Sequence, residues 1–258
     1  MHLAGYRALD LPFTYVPFAV PDVAHLADSI RGMRGLGIRG FGVSYPYKQA
    51  VMAHVDAVDA LATRIGAVNT IVNLDGTLTG HNTDWIGAVR ALEEVRALDG
   101  AKVLLLGAGG AASAIAFGLA ERKAHVTIAN RDRAKGEALS RATGADARGF
   151  DETARAGDYD VVVNATSVGM QGVDESSPIA PDALTAKLVV MDIVYKPIET
   201  RLLAAARAAG ATTIHGGRML LHQAASQFEL YTERAAPLAA MDEALRIAIG
   251  APGLPMAR

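Results

Sequence analysis

The first 85 residues alternate short apolar runs with amphipathic stretches. "TYVPFAV" (14–20) and "IRGFGVSY" (38–45) carry the β-branched and aromatic enrichment of strands. Between them, "PDVAHLADSIRGMRGLG" (21–37) predicts a helix opened by Pro21 and closed by glycines. "AVNTIVNLDGTLTGHN" (67–82) predicts a hairpin turning at Asp75-Gly76, and a helix begins near Asp84 with "DWIGAVRALEEV". From about residue 100 the alternation becomes regular. "KVLLLG", "HVTIAN", "DVVVNAT", "LVVMDIV" and "TTIHG" are continuous apolar runs, as expected of strands buried on both faces. Helical segments such as "ASAIAFGLAERK" and "PIETRLLAAARAAG" separate several of them. That order predicts a parallel, doubly wound sheet. The chain from Arg218 onward reads as helical throughout, with "APGLPMAR" as a frayed tail. The fold class expected is α/β with two domains. Residues 1–85 together with 217–258 form a substrate and catalytic domain, and residues 86–216 form a Rossmann-type domain.

Composition narrows the function classes. Of 258 residues, 51% are hydrophobic and 20% charged, which supports a substantial core. The net charge is −2 and no basic run stands out, so no nucleic-acid partner is expected, because phosphate binding needs a concentrated positive field. With 0 Cys there is no disulfide, thiolate metal site or cysteine nucleophile, in keeping with a reducing compartment. No apolar run approaches the roughly twenty residues of a membrane helix, and no basic-then-apolar leader opens the chain. A cytoplasmic protein without a membrane partner is expected. His81, His215 and His222 make no recognised ligand set, so no metal is expected.

Candidate chemistry starts at "KVLLLGAGGAASAIAFGLA". Gly107, Gly109 and Ala112 hold G-x-G-x-x-A spacing, directly after a strand and opening a helix. Gly107 permits the tight turn, Gly109 lets the backbone approach a pyrophosphate, and Ala112 allows close helix–strand packing. The helix N-terminus offers free N–H groups to the anion. The next strand ends in Asn130, followed by Arg131 and Lys135, where an NAD site usually has an acidic residue. Cations there suit a 2′-phosphate and favour NADP over NAD. Two other readings stay open: a solvated basic helix start, and Asp132 accepting from an unphosphorylated ribose.

The motifs in order resemble the shikimate dehydrogenase family over nearly the whole chain. V-T-x-P-x-K is similar to residues Val43 to Lys48, A-V-N-T to Ala67 to Thr70, and N-T-D to Asn82 to Asp84. The glycine loop is Gly107, Ala108, Gly109, Gly110 and Ala111, and N-R-T is similar to Asn130-Arg131-Asp132. N-A-T-S-x-G-M is Asn164 to Met170, D-x-V-Y-x-P is Asp192 to Pro197, and G-x-x-L-x-x-Q-A runs from Gly217 to Ala224. The resemblance implies reversible, NADP-dependent reduction of 3-dehydroshikimate to shikimate in a cleft between the domains. It implies a small ring hydroxy-carboxylate as the partner, and a monomer or homodimer. Lys48 and Asp84 would be the catalytic pair. Hydride transfer to a ketone leaves an alkoxide that needs a proton and a nearby positive charge, and a lysine beside a carboxylate meets both needs. Ser44, Asn69, Tyr195 and Gln223 would bind substrate. The cofactor would meet the five loop residues, Asn130, Arg131, Lys135, Thr166, Ser167, Ile193, Gly216 and Met219. Plain structural roles also fit some of these: Asn69 as a partner for strand-end backbone, Asp84 as a helix N-cap, and Gln223 as a polar spot on a helix interface.

Three departures bear on substrate identity. Family members open with a strand and an H-S-x-S-P segment whose serines hold the substrate carboxylate, whereas this sequence matches from just after it. Either the start lies upstream of Met1 or the carboxylate site is altered, and losing that strand should expose apolar surface in the first sheet. Gly42 stands where Asn is usual, and Trp85 follows Asp84 where a small glycine is common. Trp85 fits either a core anchor or a wall that narrows the pocket. The alternatives are therefore a diverged oxidoreductase acting on quinate or a related hydroxy acid, and a nucleotide-binding sensor with weak turnover.

Overall fold

The computed structural model describes residues 1–250, which divide into two compact units. One comprises Met1–Ile86 and the chain from Gln223, the other Gly87–His222. The division falls inside two helices, α4 and α8, introduced below.

The first unit opens with helix α1 (His2–Ala8). Asp22 then accepts from Ala24 N and His25 N, which starts a short 3-10 turn leading into α2 (Leu26–Gly35). The expected helix over 21–37 is thus present, with Asp22 supplying the cap. Leu26, Ile30 and Met33 recur at helical spacing, and this buried stripe packs on Val51, Ala62, Val68, Ile71 and Leu78. Strand β1 (Gly40–Gly42) is followed by β2 (Ala57–Val58) and by α3 (Ala60–Ile65), which Asp59 caps. The predicted hairpin forms as β3 (Thr70–Leu74) and β4 (Thr77–His81), turning at Asp75 and Gly76. Both turn residues have positive φ, 50° and 87°, the geometry that an Asp-Gly pair accommodates. The four strands form one sheet in the order β1-β3-β4-β2.

The strand expected at 14–20 is absent. Residues 14–20 pair with no other strand and are held by side chains instead. Tyr15 stacks on His2 at 4.2 Å, Phe18 tilts against Phe41, and Tyr47 Oη donates to Val20 O (2.9 Å). Sequence preference for extended backbone makes a strand only where a neighbour offers a free ladder.

Helix α4 (Asp84–Glu93) leads into the second unit. There β5 (Lys102–Leu106), α5 (Gly110–Glu121), β6 (His125–Ala129), α6 (Arg133–Thr143), β7 (Asp146–Arg148), β8 (Val161–Asn164), β9 (Val189–Asp192), α7 (Arg201–Ala208) and β10 (Thr212–His215) follow in order, with α-helices separating several of the strands as expected and 3-10 segments joining β7 to β8 and β8 to β9. All adjacent pairs of the six-stranded sheet are parallel, in the order β10-β9-β8-β5-β6-β7. The chain enters at β5 and winds outward in both directions, so β5 and β8 flank the point where the order reverses. Ligands of such sheets bind at that crevice, beyond the carboxyl ends of the strands. On the core side Leu104, Leu106, Val162 and Val190 meet Leu202, Leu203 and Ala206 of α7. Two helices close the described chain: α8 (Gly216–Thr232) and α9 (Leu238–Ala248). Among the described residues no helix is long and apolar enough to cross a membrane. The predicted tail from 251 lies outside the described residues.

Candidate active site

In the first unit, Lys48, Asn69 and Asp84 converge. The loop that carries Lys48 is fixed by its own backbone: Lys48 O accepts from Val68 N (2.8 Å), and Asn69 O accepts from Val43 N (2.7 Å). Lys48 Nζ then donates to Asp84 Oδ2 at 2.6 Å, and Asn69 Nδ2 donates to Asp84 Oδ1 at 2.8 Å and to Thr83 Oγ1 at 3.0 Å. Asn69 Oδ1 receives Thr83 N (2.7 Å) and Thr70 Oγ1 (2.8 Å), which fixes the orientation of its amide. Asp84 is not the cap of its own helix. Asn82 Oδ1 accepts from Asp84 N (3.0 Å), leaving both Asp84 oxygens for Lys48 and Asn69.

The exposure of this pair is asymmetric. The Asp84 side chain is 10% exposed and that of Lys48 33%, so the carboxylate is enclosed while the ammonium can still meet a ligand. One of its three N–H groups is held by Asp84, which leaves donors in a fixed direction. Ser44 is exposed at the start of the same loop, next to Tyr45 and its cis bond to Pro46, and Trp85 is half-buried on the first turn of α4. Gln223 is half-buried on α8. One turn further on, at the i+4 position, Gln227 donates to Thr70 Oγ1 (3.0 Å) and to Asn69 O (3.3 Å). That contact puts the Gln223 face of α8 toward the Asn69 strand. Thr70, Asn82 and Thr83 stand in the sequence motifs without an assigned role, and Gln227 has none, although the i, i+4 spacing of "QAASQ" is a usable signal for it.

In the second unit the glycine loop has the geometry its spacing predicts. Gly107 sits at φ +108°, and a Cβ there would lie 2.9 Å from Ala165 O, so only glycine fits. Gly109 and Gly110 face open space at the start of α5, where the first backbone N–H groups have no helical partner. Ala108 and Ala111 complete that turn. At the end of β6, Asn130 Nδ2 donates to Asp132 O (2.7 Å), while Asp132 Oδ1 caps α6 by accepting from Lys135 N (3.2 Å). The Asp132 carboxylate is therefore engaged in capping, and the exposed side chain of Arg131 stands beside it. Lys135 Nζ is 3.5 Å from Asp132. Thr166 is hydrogen-bonded through N and Oγ1 to Asn164 Oδ1 at 3.1 and 2.6 Å, and Ser167 beside it is exposed. Half-buried Ile193 donates its N–H to Asn164 O (3.1 Å), and Tyr195 beyond it is exposed. The backbone of Gly216 runs so close to Ile193 O that any Cβ there would clash with it, with half-buried Met219 on the next turn.

A partly buried charge cluster anchors the start of α8. Glu94 accepts from Arg218 Nε (3.0 Å), from Arg218 Nη2, and from His222 Nε2 (2.8 Å). Burial alone would push the Glu94 carboxyl up, but the bonds and charges of His222 and Arg218 outweigh it and hold it at about 2. His222 is thus a structural partner, and His81 likewise lies 3.3 Å from Asp59.

Comparison with known proteins adds three family matches in chain order. The shikimate dehydrogenase substrate binding domain matches residues 1–71, shikimate / quinate 5-dehydrogenase matches 90–202, and the shikimate 5′-dehydrogenase C-terminal domain matches 216–246. Shikimate dehydrogenase (NADP(+)) of Haloarcula marismortui is 46% identical over 248 residues, covering 95% of this chain and 92% of its own. Among solved structures, shikimate 5-dehydrogenase of Thermus thermophilus, in complex with NADP(H) and shikimate, has a TM-score of 0.87 at 36% identity, covering 96% and 92%. The ligand-free 5-ketofructose reductase of Gluconobacter sp. strain CHM43 has the same TM-score at 34% identity and the same coverage. With a fixed lysine–carboxylate pair in one unit and a glycine-loop nucleotide fold in the other, the chain belongs to the shikimate dehydrogenase family.

Proposed function

We propose that this protein is an NADP-dependent shikimate dehydrogenase that reversibly reduces 3-dehydroshikimate to shikimate. The observation that carries the reading is the Lys48–Asp84–Asn69 set, in which a lysine ammonium is aimed by a nearly enclosed carboxylate. The residues of the second unit fit the cofactor. Open space at Gly109 and Gly110 admits a pyrophosphate at the start of α5, and Asp132, engaged as a cap, leaves Arg131 for a 2′-phosphate. Gly107, Ala108, Ala111, Asn130, Lys135, Thr166, Ser167, Ile193, Gly216 and Met219 would complete its site. When bound, NADPH supplies the hydride.

The residues of the chain do the rest. Lys48 donates a hydrogen bond to the substrate carbonyl oxygen and a proton as negative charge grows there. Asp84 keeps the ammonium aimed during the approach, and Asn69 prevents the carboxylate from turning away. In the reverse direction the same lysine, deprotonated, takes the proton of the alcohol. Asn69, Ser44, Tyr195 and Gln223 bind ring hydroxyls or the carboxylate. The two compact units correspond in this reading to a substrate domain and an NADP domain, and the protein works in the cytoplasm as a monomer or homodimer, with no nucleic-acid or membrane partner. Zero Cys and a net charge of −2 support that setting.

One observation favours a second substrate. A Cβ at Gly42 would lie 2.6 Å from Tyr15 Oη and 3.4 Å from Gln227 Nε2, so Tyr15 occupies the space a side chain at 42 would need. Quinate or a related hydroxy acid then becomes the alternative. Reduced-nicotinamide absorbance, followed with shikimate and quinate, each against NADP and NAD, tests both readings. Turnover of shikimate with NADP is expected. Turnover with NAD alone overturns the cofactor assignment, and nucleotide binding without turnover of either acid points to a sensor.

A further inference from the structure

The carboxyl edge of the parallel sheet holds a titratable group that the reaction scheme leaves unused. Asp192 ends β9 and is fully buried. Its Oδ1 accepts from Asn164 Nδ2 (3.0 Å) and Val194 N (3.1 Å), and its Oδ2 accepts from Thr200 Oγ1 (2.7 Å). A buried carboxylate is ordinarily matched by a cation, yet these three donors are neutral. Burial pushes the Asp192 carboxyl up to about 6 in spite of them. Such a group costs the fold more than an apolar residue of its size would, so stability is a poor account of it.

Two of the three partners, Asn164 and Val194, lead onward to segments assigned to the cofactor. Because Asp192 only accepts when ionised, Asn164 must turn its Nδ2 toward it, and that leaves Asn164 Oδ1 facing Thr166 N and Thr166 Oγ1. The second Nδ2 proton goes to Val168 O (2.9 Å), and Thr166 Oγ1 receives Val168 N (3.1 Å), which closes the 164–168 turn. A flipped Asn164 amide would face Thr166 N with a second donor. On the other side, Thr200 Oγ1 caps α7 by accepting from Leu203 N (3.3 Å), and Val194 N ties down the residue after Ile193. The glycine turn at Gly107 lies directly against Ala165 in this same assembly.

We infer that Asp192 is a positioning residue for the cofactor. By fixing the amide orientation of Asn164 and drawing in Thr200 and Val194, it sets the Thr166–Gly169 turn and residues 193–194 as one preformed wall of the nucleotide site. The inference rests on the NADP reading above. It makes a specific demand on position 192, which is an acceptor facing Asn164 and Val194. An asparagine meets it, since Oδ1 keeps those two bonds and its amide N–H turns to Thr200, whose hydroxyl can accept. An alanine does not.

Steady-state kinetics and NADP titration of the full-length protein test this. Asp192→Ala should raise KM and Kd for NADP about tenfold or more while KM for shikimate stays within about twofold. Asp192→Asn should stay within about threefold of the parent for both. Should the alanine variant fail to fold, Asp192→Thr fills most of the volume without reaching Asn164 and is expected to show the same split. A folded Asp192→Ala or Asp192→Thr variant with an unchanged NADP constant overturns the inference and leaves the functional reading intact. So does an equal rise in both KM values, which would mark a general structural role. A parent protein that binds neither NADP nor NAD would overturn the functional reading and this inference together.

Discussion

At the scale of single residues, a lysine can be tuned by geometry alone. Lys48 needs no unusual burial to be useful, because Asp84 and Asn69 fix where its ammonium points. Lys48→Ala should lower kcat at least about a hundredfold, the usual size of a lost proton-transfer contribution, with NADP affinity nearly unchanged in a fluorescence titration. Glu94 offers a different kind of test. Its folded value, about 2, lies below that of an exposed glutamate, so its ion pairs stabilise the fold fully above about pH 4.5. That contribution is lost as pH falls toward 2. Glu94→Gln should therefore melt well below the parent at pH 6, and the gap in Tm should narrow steadily from pH 5 to pH 3. A gap that stays constant across that range would mean the Glu94 cluster does not hold its charge.

At the scale of elements, the strand–turn–helix of β5, Gly107 and α5 makes the sharpest demand. Gly107→Ala combines a disallowed φ with a contact at 2.9 Å to Ala165 O. It should cost about 1–3 kcal/mol in urea denaturation and weaken NADP binding at the same time. The parallel strands were legible because a strand buried on both faces leaves an unbroken apolar run, as "VVVN" and "LVVMD" do. Short β7 left no such trace, since its "DAR" is a polar edge. The run at 14–20 misled for the opposite reason: Tyr15, Val16 and Phe18 favour extended backbone, but ladder pairing depends on distant neighbours. The Lys48, Asn69 and Asp84 set was legible through its motifs. Asn82 and Asp192 fall inside such motifs and Gln227 repeats the helical spacing of Gln223, but only their burial and partners reveal what they hold in place.

At the scale of the whole molecule, nucleotide binding should act as a stability handle. Saturation at about a hundred times Kd adds about 2.7 kcal/mol to the folded state, enough to raise Tm by several degrees in a thermal shift assay. Lys48→Ala should show the same NADP-dependent rise as the parent, because the proposed nucleotide contacts belong to other residues. A smaller rise would mean that Lys48 takes part in nucleotide binding. The two backbone bonds flanking the lysine loop, Val68 N to Lys48 O and Val43 N to Asn69 O, have a historical implication as well. They clamp Lys48 and Asn69 through backbone atoms that every residue but proline possesses, so side chains at Ser44 and Tyr45 can be exchanged while the lysine stays in place. Tyr45, 89% exposed, is the freer of the two. In the proposed reading, such a scaffold lets a lineage try new ring substrates by changing the loop around an unchanging reaction, and a new specificity then requires no reinvention of catalysis.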